Sequence, residues 1–229
     1  MLKRIDNLIR PALVLLAVFL VFGIAGVAYQ GIRTLQQLNA VEAERDQWQR
    51  PADIIALLNL KSGSVAVDLG SGAGYFALKL SDVVGPTGRV VAVDLRRLSL
   101  LFLRARALLY GKRNIQIVCG EADNPHLSTG TVDSVLIANT YHELTDPHAI
   151  LRHTWRALVP GGRLVIVDRA AGSEDPRESV AHHHTTADTA EADLRKEGYT
   201  IISRQDVFIH PSGDEPWWLI VAGKSQVEP

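Results

Sequence analysis

The strongest indication of the fold comes from residues 65–75, which read Val65-Ala-Val-Asp68-Leu-Gly70-Ser-Gly72-Ala-Gly74-Tyr75. A short apolar run contains Asp68 and leads into three alternating glycines, and helix-like periodicity begins at Tyr75. Glycines where a strand turns into a helix let the backbone approach a ligand, and the first turn of the helix presents free N–H groups. The stretch therefore predicts a buried strand, a ligand-binding loop and a helix.

The spacing of these glycines distinguishes between classes of ligand. Dinucleotide-binding loops carry the spacing GxGxxG, and Tyr75 stands where that pattern needs its last glycine. A nicotinamide-dependent oxidoreductase is therefore disfavoured. The tighter spacing GxGxG, with Asp68 two residues before the first glycine, favours a ligand that carries a positive charge.

Strand-like and helix-like segments alternate from this loop to the end of the chain. One helix is predicted from Pro51 to the turn at 61–63, and another from Asp146-Pro147 to the turn at 160–162. Strands are predicted at 64–69, 89–94, 114–118, 132–138, 163–168, 199–209 and 217–222. The pattern predicts an α/β, Rossmann-like, doubly wound, mainly parallel seven-stranded sheet with a C-terminal antiparallel hairpin.

Further acidic residues follow the second and third predicted strands. Asp94 ends the second strand, where a carboxylate can accept the hydroxyls of a ribose. Glu121 and Asp123 follow the third strand. Open α/β sheets bind ligands beyond the carboxyl ends of their strands, so we expect these acids and the glycine loop to converge on one crevice.

Taken together, these motifs resemble those of the class I S-adenosylmethionine-dependent methyltransferases. The resemblance covers roughly residues 49–224 and rests on the segments 67–74, 91–94 and 158–168. It implies S-adenosylmethionine as the cofactor, with the glycines under its methionine part, Asp68 near its amino group, Asp94 at the ribose, and Glu121 or Asp123 beside the adenine. The full set of expected cofactor-binding residues is Asp68, Gly70, Ser71, Gly72, Gly74, Asp94, Glu121, Asp123 and Asn139.

The segment Asn139-Thr-Tyr-His-Glu143 follows the fourth strand, where the resemblance implies that the methyl acceptor binds. Methyl transfer needs the nucleophile aligned with the methyl group and, for protonic nucleophiles, a base. His142 is the candidate catalytic base, and Tyr141 and Glu143 are candidates for orienting it or the acceptor. The alternative is that His142 or Glu143 only hydrogen-bonds the loop backbone.

Composition excludes several other classes of function. The balance of 24 Lys and Arg against 25 Asp and Glu disfavours a nucleic-acid partner bound through bulk positive charge. The single cysteine, Cys119, cannot build a multi-thiolate metal site. Three adjacent histidines, His182 to His184, are typical of a polar lid here rather than of a metal site, so we expect no metal.

The N-terminal part of the chain has a different character. No charged residue occurs from Pro11 to Ile32, and roughly twenty apolar residues suffice for a helix to cross a bilayer. The organisation expected is a basic flank at 1–10, a transmembrane helix or uncleaved signal anchor at 11–30, a helical linker at 31–50 and the methyltransferase domain at 51–225. The alternative for the apolar segment is a signal peptide that is cleaved before export.

Two observations disagree about which side of the membrane the domain occupies. The basic residues before the apolar segment favour a cytoplasmic N-terminus and therefore an extracytoplasmic domain. S-adenosylmethionine is made in the cytosol, which favours a cytoplasmic domain. The function expected is a single-pass, membrane-anchored methyltransferase with a small or lipid-like acceptor. The alternative is a non-catalytic ligand-binding module of the same fold, exported or anchored.

Overall fold

The computed structural model describes residues 2–169, 186–210 and 216–225, and at residues 2–18 and 28 it describes the backbone alone. The predicted lid with His182 to His184 and the predicted turn at 211–214 lie outside the described residues. The chain divides into two compact units, Met1–Gln47 and Trp48–Pro229.

The first unit consists of the helix α1, which spans Leu2–Trp48 and reaches the start of the second unit. Within the described residues, no helix combines the length and the apolar character needed to cross a membrane. The predicted transmembrane segment at 11–30 begins in residues whose side chains lie outside that described part. The membrane anchor therefore stays a prediction.

The second unit is built on one seven-stranded sheet with the strand order β3-β2-β1-β4-β5-β7-β6. The strands are β1 (Val65–Leu69), β2 (Arg89–Asp94), β3 (Ile115–Cys119), β4 (Val132–Ala138), β5 (Leu158–Arg169), β6 (Thr200–Ile209) and β7 (Trp217–Gly223). The first five are parallel, whereas β7 runs antiparallel to both β5 and β6. The predicted doubly wound sheet with its closing antiparallel pair is confirmed.

Helices cover both faces of the sheet. They are α2 (Pro51–Leu57), α3 (Tyr75–Val84), α4 (Arg97–Leu109), α5 (Pro147–Ala157) and α6 (Ala187–Lys196). Ile54, Leu80 and Leu103 place α2, α3 and α4 in one buried cluster, while Leu151 and Leu194 place α5 and α6 in the other. Strand residues alternate between the two clusters because successive side chains point to opposite faces, so both faces of the parallel strands are apolar.

Two predicted boundaries are wrong by several residues, the end of α2 and the start of β5, and strand pairing explains the second. Helix α2 ends at Leu57 rather than near 61, and Asn59 then adopts a left-handed φ of 53° that no helix continues. Strand β5 begins at Leu158 rather than at 163 because Leu158 already pairs with Val132 of β4. The predicted turn at 160–162 is therefore an irregularity inside an extended strand.

Candidate active site

The candidate site lies at the carboxyl edge of the parallel strands. β1 pairs with β2 on one side and with β4 on the other, and this is where the strand order reverses. Ligands bind at such a switch point in open α/β sheets. Asp68 near the end of β1 is buried, and Asp94 at the end of β2 is only 7% exposed.

The glycine loop is fastened to the end of β2 by its backbone. The N–H groups of Gly70 and Ser71 both donate to the carbonyl of Val93, at 2.9 and 3.0 Å. The N–H of Gly72 donates to Asp94 Oδ2 at 2.8 Å. All three loop glycines have positive φ, with values of 79° at Gly70, 51° at Gly72 and 94° at Gly74. The backbone conformation therefore favours glycine at all three of these positions.

Of the three loop glycines, only Gly72 borders open space in which a ligand could lie. A Cβ added to Gly70 would lie 2.2 Å from Thr140 Oγ1, and one added to Gly74 would lie 2.2 Å from a methyl of Leu103. A Cβ added to Gly72 would meet nothing within 4 Å. Beside it, the buried Ser71 Oγ has no hydrogen-bond partner among the described residues. Open space next to an unsatisfied hydroxyl fits a polar ligand.

Asp94 accepts hydrogen bonds from two backbone N–H groups and can accept further hydrogen bonds from a ligand. Its Oδ2 accepts the bond from Gly72, and its Oδ1 accepts a bond from the N–H of Arg96 at 2.8 Å. Each carboxylate oxygen has two lone pairs, so each can accept one more hydrogen bond. This arrangement suits the two adjacent hydroxyls of a ribose.

Arg106 is a loop-supporting residue that the sequence analysis did not single out. It is 1% exposed, and its Nη1 donates to the carbonyl of Ala73 in the glycine loop at 2.7 Å. The sequence feature that could have revealed Arg106 is its position next to Ala107, on the side of the helix that faces the core. A buried guanidinium there needs buried acceptors.

His142 is buried at the end of β4 and is held by Asp168 of β5. Its Nδ1 lies 2.8 Å from Asp168 Oδ1, and its backbone N–H donates to Asp168 Oδ2 at 3.1 Å. A carboxylate only accepts hydrogen bonds, so Nδ1 carries the proton and Nε2 keeps its lone pair. The sequence analysis quoted Asp168 in a motif but gave it no role.

The Nε2 nitrogen of His142 faces a polar group of side chains. Arg169 Nη2 lies 3.1 Å from His142 Nε2, and Glu143 Oε1 lies 3.9 Å from it. Glu143 is also paired with Arg96, whose Nη2 is 3.0 Å from Glu143 Oε2. The structure therefore brings His142 and Glu143 together and links them through Arg96 to Asp94, whose Oδ1 accepts the N–H of Arg96.

Tyr141 lies elsewhere, in the apolar core. Its ring packs edge-on against Trp218, and its hydroxyl donates to Asp193 of α6 at 3.0 Å. Burial and the neighbouring carboxylate of Asp193 raise the pKa of Tyr141 far above its usual value. In this arrangement Tyr141 ties α6 to the sheet, and a role in the reaction stays a prediction.

The remaining predicted residues stand around the same edge. Glu121 and Asp123 are exposed on the loop after β3, and Glu121 Oε1 lies 3.5 Å from Nε2 of His126. Asn139 has a left-handed φ of 54°, and its N–H donates to Val167 of β5 at 2.8 Å. No group of three His, Cys, Asp or Glu side chains within the described ranges could hold a metal ion.

Comparison with known proteins now identifies the family. The family model described as the ubiE/COQ5 methyltransferase family matches residues 32–183. The chain belongs to this family. It is accordingly an S-adenosylmethionine-dependent methyltransferase, and S-adenosylmethionine is its cofactor. Membership does not favour the alternative of a non-catalytic module.

Individual relatives agree with this assignment. The chain is 36% identical over 115 residues to the ubiquinone/menaquinone biosynthesis C-methyltransferase UbiE of Pseudomonas putida. That match covers 50% of this chain and 45% of the relative, so the chain spans less than half the length of the UbiE protein it matches.

Solved structures support the fold. An S-adenosylmethionine-dependent methyltransferase from Aquifex aeolicus superimposes with a TM-score of 0.65 at 24% identity, covering 76% of this chain and 88% of that one. The Haemonchus contortus phosphoethanolamine N-methyltransferase 2, in complex with S-adenosyl-L-methionine, superimposes with a TM-score of 0.67 at 18% identity, covering 78% and 53%.

Proposed function

We propose that this member of the ubiE/COQ5 family methylates a ring carbon of a quinol-type, lipid-like acceptor. The choice of a carbon acceptor is supported by the relative named as a ubiquinone/menaquinone biosynthesis C-methyltransferase. The observation that carries the proposal is the buried pair of His142 and Asp168, whose Nδ1 to Oδ1 distance is 2.8 Å.

This pair suits an aromatic acceptor because a ring carbon becomes nucleophilic when a neighbouring hydroxyl loses its proton. A phenolic hydroxyl with a pKa near 10 needs a base to ionise at neutral pH. The lone pair of His142 Nε2 faces Arg169 Nη2 at 3.1 Å, and the hydroxyl of the acceptor would replace that contact. Asp168 would hold the proton on Nδ1 and stabilise the ring once it is charged. The guanidinium of Arg169, 3.1 Å from Nε2, is placed to stabilise the phenolate oxygen.

The cofactor half of the site would be held by the glycine loop. Gly72 leaves space for the methionine part, Ser71 Oγ offers a hydroxyl to it, and Asp94 would accept the ribose hydroxyls. Bound S-adenosylmethionine supplies the methyl group, which the acceptor takes by in-line displacement. His142 would hold the proton taken from the ring hydroxyl while the methylated ring carbon loses its own proton to water, which restores aromaticity. Return of the proton from His142 to the ring oxygen would leave S-adenosylhomocysteine and one released proton for each methyl group transferred.

The test is an assay of the full chain with methyl-labelled S-adenosylmethionine and a short-chain quinol that lacks one ring methyl. Label on a ring carbon is the expected product. Asp168→Asn should lower kcat about 100-fold to 10,000-fold, because it removes the orientation and charge support of the base, while the Kd for S-adenosylmethionine stays within about twofold.

Asp133→Asn is the matched control. Asp133 is the second residue of β4 and also accepts a backbone N–H, that of Val65 at 2.7 Å, but it lies at the opposite, amino edge of the parallel strands. Asp133→Asn should change stability without changing kcat. Label on oxygen instead of carbon, or an unchanged kcat in Asp168→Asn, would overturn the proposal.

We further propose that residues 11–30 attach the enzyme to a membrane, with the second unit on the cytoplasmic side where the cofactor is made. The support is the absence of charge from Pro11 to Ile32. Resistance of the full chain to alkaline extraction tests the attachment, and protease digestion of sealed vesicles tests the side. Recovery of a shortened chain outside the cell would instead indicate signal cleavage.

A further inference from the structure

Helix α4 has apolar residues on two opposite faces, and only one of them is buried. Leu100, Leu103 and Ala107 face the sheet and are buried. On the other side Leu98 is 82% exposed, Leu101 64%, Leu108 76% and Leu109 62%. We call these four residues, together with Phe102 and Ala105, the α4 outer face.

The α4 outer face is a single continuous stripe. Its members are spaced three and four residues apart, which places them along one side of an α-helix. Next to it lies an open groove of about 520 Å³ lined by Ala73, Leu98, Ser99, Leu101, Phe102 and Ala105. Because Ala73 belongs to the glycine loop, the stripe continues to the edge of the cofactor site.

The charged residues within α4 and its flanking segments are all basic. The sequence contains no acidic residue from Leu95 to Gly120. Arg97 and Arg104 are exposed on α4, and neither forms a hydrogen bond or an ion pair with any residue that the structure describes. Contiguous exposed leucines mark an interaction surface, and the unpaired arginines indicate that its partner is anionic.

We propose that the α4 outer face docks on the surface of an anionic lipid bilayer, with its leucines among the acyl chains and Arg97 and Arg104 at the headgroups. A helix with an apolar stripe flanked by arginines is the composition of interfacial helices. A second copy of the chain fits less well, because a symmetric contact sets the same patch against itself and would bring arginines together.

This docking surface is distinct from the segment 11–30 and independent of the acceptor's identity. Helix α4 begins at Arg97, shortly after the cofactor acid Asp94. Docking therefore places the carboxyl edge of the sheet, where His142 also lies, close to the bilayer. A lipid-like acceptor would then reach the site from the membrane.

The test is a local probe in the full chain, so that binding through any other segment does not confuse the result. Cys119→Ser removes the only cysteine. An environment-sensitive fluorophore is then attached to Leu101→Cys or, as a matched control, to Val207→Cys on β6. The two positions are alike, since Leu101 is 64% and Val207 62% exposed.

Vesicles of phosphatidylcholine and phosphatidylglycerol in equal parts should shift the emission at Leu101→Cys to shorter wavelength and leave Val207→Cys unchanged. Vesicles of phosphatidylcholine alone should produce a much smaller shift. Adding Arg97→Gln and Arg104→Gln should raise the lipid concentration for half the shift about 25-fold, at roughly fivefold per arginine.

Three results would overturn the proposal. They are no shift at Leu101→Cys, equal shifts at both positions, and a shift without vesicles that grows with protein concentration, which would indicate self-association. Calorimetric titration of the same labelled chains with S-adenosylmethionine reports on folding and on the cofactor site. A failure of docking is thereby distinguished from a failure of the proposed function.

Discussion

Alanine substitutions at Gly70 and Gly72 separate the structural role of the glycine loop from its binding role. Both residues have positive φ, 79° and 51°, so an alanine costs about 1–2 kcal/mol in either place. At Gly70 the new Cβ would also lie 2.2 to 2.7 Å from three atoms of Thr140. Relieving that overlap adds about 1–3 kcal/mol.

Gly70→Ala should therefore lower the free energy of unfolding by about 2–5 kcal/mol, and Gly72→Ala by about 1–2 kcal/mol. The order reverses for cofactor affinity. At Gly72 the Cβ meets no protein atom within 4 Å and projects into the space proposed for the cofactor. We expect Gly72→Ala to weaken S-adenosylmethionine binding about tenfold or more, equivalent to about 1.4 kcal/mol.

Urea unfolding and calorimetric titration of the two purified variants supply these numbers. Equal loss of stability in both would show that the contact between Gly70 and Thr140 is not as described. Wild-type affinity in a folded Gly72→Ala protein would show that the open side of the loop is not the cofactor cradle.

Further predictions concern other residues. Asp94→Ala removes acceptors for the cofactor and for Gly72, so the Kd measured by calorimetry should rise at least about tenfold, and an unchanged Kd would remove Asp94 from the site. Arg106→Met should weaken cofactor binding without altering the Kd of quinol, because it frees the loop carbonyl 2.7 Å away. Burial raises the pKa of Tyr141 and of Tyr199 above 10.0, so unfolding releases their protons and stability should fall above about pH 10. The fall approaches about 1.4 kcal/mol per pH unit for each phenol. Tyr141→Phe should reduce this slope in alkaline urea titrations, and an unchanged slope would contradict the burial of its hydroxyl.

Much of the fold was predictable because the local sequence patterns indicate the same strands and helices that the folded sheet contains. The predicted strands at 89–94 and 132–138 match β2 and β4. The helix predicted to start at Asp146-Pro147 does so, and the carboxylate of Asp146 caps α5 by accepting the N–H of Ala149 at 2.9 Å. The start of β5 was not predictable, since residues 158–162 join the strand through the pairing of Leu158 with Val132 and through hydrogen bonds of Gly161 and Gly162 with Lys224, far along the chain.

The candidate site was also predictable only where it depends on neighbouring residues in the sequence. The glycine loop could be recognised because its function depends on consecutive residues whose conformations only glycine adopts readily. The partner of His142 could not, because Asp168 lies 26 residues away in sequence and meets it only through the pairing of β4 with β5. That register joins Ala138 to Val167 and is a property of the folded sheet alone.

The hydrogen bond from Arg106 to the carbonyl of Ala73 makes α4 a shared support of two binding events. One side of the helix holds the loop beneath the cofactor, and the other side carries the exposed leucines. If a lipid surface fixes the helix in the position that the loop requires, thermodynamic linkage makes the effect reciprocal. The cofactor would then bind more tightly to the enzyme at the bilayer, and the cofactor-loaded enzyme would bind the bilayer more tightly, by the same factor in equilibrium affinity.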